Sequence, residues 1–95
     1  MTGQIWEPNP GWQKLDSPTE GSIVHLKYNS AFSHLVKVIV SSVDKDMITS
    51  VVKSVFDWES KMPIKGSEIL NLVGKELKFR RNLIYNVIKK SADVK

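Results

Sequence analysis

The chain of 95 residues contains no cysteine. Disulfide bonds, thiolate nucleophiles and cysteine-ligated metal centres are therefore excluded. Long apolar runs are also missing, because the longest, 38–40, has three residues, whereas a transmembrane helix needs roughly 18–20. The first residues are mixed and turn-rich and lack the basic stretch and apolar core of a signal peptide. We therefore expect a cytoplasmic protein with no membrane partner.

Alanine, the best helix former, is scarce: the sequence has two alanines against 19 valines and isoleucines. β-branched side chains lose rotamer freedom in helices and pack well on pleated sheets. An apolar content of 41% argues against general disorder. The composition therefore favours a folded domain built from strands.

Regular structure is not expected in residues 1–21, where three of the four prolines and three of the five glycines occur. This segment nevertheless contains two of the three tryptophans, an apolar area that a disordered tail rarely carries. We predict an N-terminal arm over 1–21 that docks on the domain and covers a strand edge. A single β domain over 22–90 and a frayed tail over 91–95 complete the organisation.

Alternating apolar and polar residues predict strands at 22–28, 34–43 and 47–56, and the last two form a hairpin around the polar turn 44–46. In the third strand, Ile48, Val52 and Phe56 are expected on one face, with Val51 and Val55 on the other. The segment 33–58 also carries an apolar stripe at helical spacing. A helix there would contain many β-branched residues and an Asp-Lys-Asp interruption, so the hairpin is favoured.

The remaining segments predict a helical turn or short strand at 66–74 and final strands at 75–79 and 82–90. Five short strands in so few residues indicate a mostly β fold, a small five-stranded barrel of the Src-homology-3-like or Sm-like kind. The alternative is an α+β fold with one short helix near 66–74.

Two motifs bear on the barrel prediction. In residues 40–47, VSSVDKDM, an apolar strand is followed by an Asp and then by a Met. In residues 79–84, FRRNLI, an apolar residue is followed by Arg and, further on, by two apolar residues. Both stretches resemble the signatures of the Sm-like family of small barrels, although Ile48 and Arg81 replace the family's Asn and Gly. The resemblance implies a small barrel and, for members of that family, binding of single-stranded RNA by ring-shaped oligomers.

Catalytic and metal-binding patterns are weak. Only His25 and His34 could act as a general base, and we expect His25 on a solvent-facing strand surface and His34 at the edge of a turn. Asp44 and Asp46 flank a turn, a position that aspartate favours without any metal. No glycine-rich phosphate loop is present. We predict a protein that is not an enzyme, with no cofactor and no metal site.

Positive charge is concentrated in the C-terminal third of the sequence. Residues 1–64 carry a net charge of −1 and residues 65–95 a net charge of +5. Lysine and arginine contact phosphates, and aromatic faces stack on bases. One hypothesis is therefore RNA or DNA binding through the basic residues of the last strands: Lys75, Lys78, Arg80, Arg81, Lys89 and Lys90.

The tryptophans support a second hypothesis, because Trp is enriched at protein interfaces. Trp6, Trp12 and Trp58 all lie in predicted arms or loops. If they share one face, they form a surface for a protein partner or for another copy of the chain; otherwise they fix the arm to the domain. We take a non-enzymatic binding or adaptor module acting through protein–protein interaction as the leading function, with nucleic-acid binding as the alternative.

Overall fold

The computed structural model describes residues 6–29, 32–64 and 68–89. Five strands follow one another along the chain: β1 (Ile23–Asn29), β2 (Ser33–Asp44), β3 (Met47–Asp57), β4 (Glu76–Arg80) and β5 (Ile84–Ile88). Three short 3-10 helices span Trp12–Lys14, Glu68–Leu72 and Arg81–Leu83. Within the described ranges no helix reaches seven residues, so the mostly β prediction is confirmed and the α+β alternative is not observed.

The strands form one antiparallel sheet in the order β4-β3-β2-β1-β5. β2 and β3 are the predicted hairpin, and Asp44 pairs with Met47 beside its turn. Lys45 occupies this turn with a φ of 57°, a left-handed conformation that is common in tight hairpin turns. The valines and isoleucines of these two strands thus form a ladder rather than the competing helix.

The edge strands β4 and β5 are consecutive in sequence, joined by the 3-10 helix Arg81–Leu83. A three-residue connection between opposite edges requires a strongly curved sheet. No pairing between β4 and β5 closes this sheet in the described residues. The observed architecture is therefore an open five-stranded antiparallel sheet. None of the described helices is long and apolar enough to cross a membrane.

The concave side of the curved sheet encloses the core. Its buried side chains alternate along the strands, as strand geometry requires; they are Val24, Leu26, Val36, Val38, Val40, Ile48, Val52, Val55, Phe79 and Ile84. Ser50 is also fully buried, and its hydroxyl donates a hydrogen bond of 2.9 Å to the Leu77 carbonyl. This bond joins β3 to β4 and satisfies a polar group that would be costly to bury alone.

A bulge in β3 places the side chains of the second half of this strand on the opposite faces of the sheet from those predicted. Lys37 pairs with Ser54 and Val38 pairs with Val52, so Lys53 has no residue opposite it. An extra residue shifts the alternation by one position. As a result Val55 is buried, and the prediction that Phe56 shares the core face of Ile48 and Val52 is wrong. Phe56 instead pairs with Leu35 on the convex outer face.

Residues 6–9 of the N-terminal segment lie against β1 and β5. Trp6 forms a bridge with Tyr28, and the Glu7 amide donates to the Lys27 carbonyl at 3.0 Å. Asn9 donates from its main chain to the Asn82 carbonyl at 2.7 Å and from its side chain to the Ile84 carbonyl at 2.9 Å. The contacts of Trp6 and Glu7 occupy the edge of β1 beyond the point where β5 begins to pair with it, and the bonds of Asn9 join the segment to the start of β5 and the residues before it.

Candidate functional site

The outer face of the sheet combines basic and aromatic side chains near the middle of β1 and β2. In one cross-strand row, His25 lies between Lys37 of β2 and Asn86 of β5. In the next row, Lys27 pairs with Leu35, which pairs with Phe56 on β3. Because side chains alternate along strands, both rows project from the face opposite the core.

A tight loop after β3 places Trp58 over these rows. The Asp57 carboxylate accepts a hydrogen bond of 2.8 Å from the Ser60 amide, and the Asp57 carbonyl accepts one of 2.9 Å from the Lys61 amide. The Trp58 amide donates to the Ser33 carbonyl at 3.1 Å. Lys61 adopts a φ of 62°, and its ammonium donates to the Trp58 carbonyl. The loop therefore holds the indole by several bonds to its backbone.

The carboxylate of Asp57 stabilises this loop. The Ser60 backbone amide and hydroxyl lower the pKa of Asp57, because both stabilise the ionised form. An ionised Asp57 keeps the turn that precedes Lys61. The predicted interaction residue Trp58 is thus presented by a defined loop.

Together these elements line an open groove of about 550 Å³, within the roughly 300–1,000 Å³ typical of ligand sites. We call it the outer-face groove. Most of its surface is apolar or aromatic, and in the part of the chain that the structure describes no aspartate or glutamate lines it. Its lining residues are His25, Leu35, Lys37, Phe56, Trp58, Lys61, Tyr85 and Asn86.

Three lysines place their ammonium groups against the aromatic rings of this region. Lys61 Nζ lies 4.5 Å and Lys27 Nζ lies 4.9 Å from the Trp58 ring centroid. Lys37 Nζ lies 4.7 Å from the centroid of Phe56. Such cation–π contacts are worth about 0.5–1 kcal/mol each at exposed sites. They hold three positive charges around one aromatic surface.

Tyr85 forms the wall of the groove on the β5 side. Its ring packs edge-on against Trp58, with centroids 5.2 Å apart, and its hydroxyl donates to the Pro8 carbonyl at 3.0 Å. Burial, followed by the nearby Glu7 carboxylate, raises the pKa of Tyr85 to about 12. Tyr85 is therefore a neutral hydrogen-bond donor that ties the groove to the N-terminal segment.

Glu7 contacts the margin of the groove. Its carboxylate accepts a hydrogen bond of 2.5 Å from the Asn29 side-chain amide and lies 3.4 Å from Lys27 Nζ. The Asn29 hydrogen bond and then the Lys27 charge lower the pKa of Glu7. This ion pair leaves Lys37 and Lys61 as the uncompensated ammonium groups among the groove-lining residues.

The three tryptophans singled out from the sequence have different neighbours. Trp6 packs edge-on against Tyr28 at 4.8 Å. Trp12, in the first 3-10 helix, lines a smaller cleft of about 200 Å³ with Arg80 and Arg81. Of the three tryptophans, only Trp58 lines the outer-face groove. The structure thus assigns the three residues to separate locations.

The predicted basic residues are distributed over several elements. Lys75 precedes β4, and Lys78 and Arg80 are exposed on this edge strand. Arg81 lies in the 3-10 helix after β4, where one guanidinium nitrogen donates to the Ser17 hydroxyl at 3.2 Å. Lys89 follows β5 at the opposite edge of the sheet, and Lys90 lies outside the described residues. The structure brings Arg80 and Arg81 together beside Trp12, and Lys89 lies at the far end of β5 from them.

Sequence reasoning missed Lys27, Lys37 and Lys61 because the first 64 residues are nearly neutral overall. Strand alternation offered a signal, since Lys27 and Lys37 fall on the solvent face of predicted strands. His25, expected on a solvent-facing strand surface, is half-buried in the groove floor. His34, expected at the edge of a turn, is the second residue of β2 and is buried beside Tyr28.

The described residues contain no group of three or more histidine, aspartate or glutamate side chains that could hold a metal ion. Comparison with known proteins found no matching family model, no matching curated protein and no matching solved structure. The outer-face groove must therefore be interpreted from its own chemistry.

Proposed function

We propose that the protein is a non-enzymatic binding domain that holds a single-stranded nucleic acid on the outer-face groove. The observation that carries this proposal is the lining of the groove: three aromatic rings and three nearby ammonium groups, with carboxylates only at its margin. Single-strand-binding proteins combine these same two elements, a basic path for the phosphates and aromatic faces for the bases.

The charges of the groove favour an anionic ligand. Lys37 lies over the ring of Phe56 and Lys61 over that of Trp58; neither is paired with a carboxylate among the groove-lining residues, and like charges held at one surface repel each other. A phosphate bound by them relieves this repulsion and releases counterions. The ammonium groups then leave the aromatic rings for the phosphate, and the exposed ring surface becomes available to a base.

A paired duplex fits the groove less well than a single strand. Aromatic side chains stack only on bases that are unpaired or splayed out. Trp58 and Tyr85 stand edge to face at 5.2 Å, so their exposed surfaces have different orientations. Such a surface accepts one base and an adjoining sugar-phosphate more readily than the regular backbone of a duplex.

The scaffold proposed for this site is a small barrel of the Src-homology-3-like kind. The strand order and the three-residue 3-10 connection between the two edge strands support it, because both follow from a sheet curved back on itself. On such a scaffold the outer face of β1 and β2 is a rigid platform, and the loop after β3 supplies a side chain above it.

The test measures binding of a fluorescently labelled single-stranded oligothymidylate of about 15 nucleotides, near the upper end of single-domain site sizes. Fluorescence anisotropy gives the Kd at several salt concentrations. Three lysine–phosphate contacts predict a slope of log K against log salt of about −2, since each single-strand contact contributes about −0.7. Trp58→Ala is expected to weaken binding by about 1–3 kcal/mol, the usual value of one base stack.

Matched variants separate the groove from general basic charge. The groove variant carries Lys27→Ala, Lys37→Ala and Lys61→Asn, and the control carries Lys14→Ala, Lys78→Ala and Lys45→Asn. Asparagine replaces Lys45 and Lys61 because both have positive φ, which asparagine tolerates. Both variants lose the same charge, but only the groove variant is expected to lose the salt-dependent binding. Equal losses in the two variants would contradict the site.

Trp12→Ala is the aromatic control, because Trp12 lies outside the groove. A labelled polyglutamate of similar length tests the protein-interaction alternative. Binding of polyglutamate but not of the oligonucleotide, with sensitivity to Trp58→Ala, would assign the groove to an acidic protein segment. Absence of binding by both probes at low salt would overturn the proposal altogether.

A further inference from the structure

His25 is a titratable residue of the groove lining that the proposed function does not use. It lies at the centre of the outer face, with Lys37 opposite on β2 and Asn86 opposite on β5. Its Nε2 atom is enclosed and has no hydrogen-bond partner in the described part of the chain. Buried polar atoms in folded proteins almost always have a partner. Nε2 itself is closed off from solvent, but the ring as a whole is only half-buried and lines the open groove. An anion in the groove therefore lies against the exposed part of this imidazole, and Nε2 gains a partner only if the ring turns toward the anion.

We propose that His25 is a conditional phosphate ligand, which takes up a proton when an anion enters the outer-face groove. This inference rests on the proposed function, because the anion is a phosphate of the bound strand. In the empty groove His25 is neutral. In the complex its imidazolium joins Lys37 and Lys61 as a third positive group of the floor, so that binding of the strand also binds a proton.

The groups around His25 explain why the empty groove keeps it neutral. Lys37 faces it from β2, and Lys61 approaches from the loop after β3. Phe56 and Trp58 cover the floor, and Tyr85 and Asn86 line it from β5; Lys27 lies two residues away on β1. All the charged groups among these are cationic. Burial, and then the charges of Lys37 and Lys61, lower the pKa of His25 below its ordinary value.

A bound phosphate reverses the electrostatic balance. Its negative charge compensates Lys37 and Lys61 and accepts a hydrogen bond from the protonated ring. The pKa of His25 is therefore higher in the complex than in the free protein. Between these two pKa values binding takes up a proton, so the affinity rises as the pH falls. Outside this interval His25 no longer makes the affinity depend on pH.

One proton of linkage limits the effect to a tenfold change in Kd per pH unit. We expect the affinity for labelled oligothymidylate to increase about three- to tenfold between about pH 8 and pH 5.5, the range in which histidine titrates. Ionic strength is held constant, since salt alone changes the affinity. Internucleotide phosphates remain ionised over this range, so the change originates in the protein.

The deciding variant is His25→Gln, which retains a polar side chain but cannot titrate. Its expected signature is loss of the pH slope, whatever its absolute Kd. Circular dichroism at both pH limits verifies that the variant is folded. Proton NMR of the imidazole gives an independent reading in the unmodified protein: the His25 titration is expected to shift to higher pH when the oligonucleotide is added. The His34 resonance, from the other side of the sheet, serves as the internal reference.

The outcomes distinguish this inference from the proposed function. If the oligonucleotide binds with the same affinity at all pH values, or if His25→Gln keeps the full slope, His25 is not a phosphate ligand although the groove still binds. If His25 does not shift when the oligonucleotide is bound, the same conclusion follows without any variant. If the oligonucleotide does not bind at either pH limit, both the inference and the proposed function are overturned.

Discussion

The attachment of the N-terminal segment can be tested by one substitution, Asn9→Ala. The Asn9 side chain donates to the Ile84 carbonyl at 2.9 Å and accepts from the Gly11 amide at 3.0 Å. The first bond joins the segment to β5, and the second fixes the turn that leads into the first 3-10 helix. Alanine removes both bonds and adds no new contact.

The magnitude follows from these two bonds. A net hydrogen bond contributes about 0.5–1.5 kcal/mol, so their loss is expected to lower the free energy of unfolding by about 1–3 kcal/mol. In a domain of this size each kcal/mol corresponds to about 4–8 °C in Tm. Asn9→Ala should therefore melt roughly 5–20 °C below the unmodified protein. The main-chain bond from Asn9 to Asn82 remains, which prevents complete detachment.

Urea denaturation followed by circular dichroism measures the free energy, and a thermal scan measures Tm. Asn71→Ala is the matched control, because Asn71 is exposed in the second 3-10 helix and surface substitutions usually change stability by less than about 0.5 kcal/mol. If Asn9→Ala is as stable as Asn71→Ala, the two side-chain bonds of Asn9 do not stabilise the domain, and the predicted attachment through this side chain is refuted.

Three further predictions concern the wall of the groove, the core and His25. Tyr85→Phe removes the hydrogen bond to the Pro8 carbonyl but keeps the ring, so it should lower the free energy of unfolding by about 0.5–1.5 kcal/mol. The Kd for the oligonucleotide should stay within about twofold of its original value. A large loss of binding would instead assign the hydroxyl a direct role in binding. Ile48→Ala opens a cavity in the core and should cost about 2–5 kcal/mol in urea denaturation, whereas Ile39→Ala on the outer face should cost much less. The pKa of His25 is lowered in the folded protein, so its contribution to stability is present above the unfolded pKa of about 6.5 and is lost as the pH falls through the folded value. Between about pH 7 and pH 5, the His25→Gln variant should therefore lose less stability than the unmodified protein. Identical stability profiles against pH for the two proteins would contradict this assignment.

The local sequence predicted the strands well where one residue class dominated. Alternating Val and Ile, with the polar turn 44–46, correctly indicated the β2–β3 hairpin. The same alternation failed after Lys53, because both faces of the following segment carry apolar residues and a one-residue bulge leaves no signal in such a pattern. Phe56 therefore lies on the outer face of the sheet, where it lines the groove.

The residues of the candidate site could not be predicted from the sequence for a different reason. The net positive charge of the sequence lies in its C-terminal third, whereas Lys27, Lys37 and Lys61 belong to a segment with nearly equal numbers of acidic and basic residues. In the fold, none of the described acidic side chains lines the groove, and residues from four distant segments form it. Only strand pairing brings His25, Lys37, Trp58 and Tyr85 together. Linear charge counts do not contain that information.

Chemical-shift mapping by ¹H–¹⁵N NMR tests most directly whether the outer-face groove is the ligand site. On titration with oligothymidylate, the largest changes are expected at the amides of Lys37, Phe56 and Tyr85 and at the indole N–H of Trp58. Largest changes at Lys78, Arg80 and Arg81 would instead place the ligand on the basic edge formed by β4 and the helix after it. That result, or the absence of any change at low salt, would contradict the account.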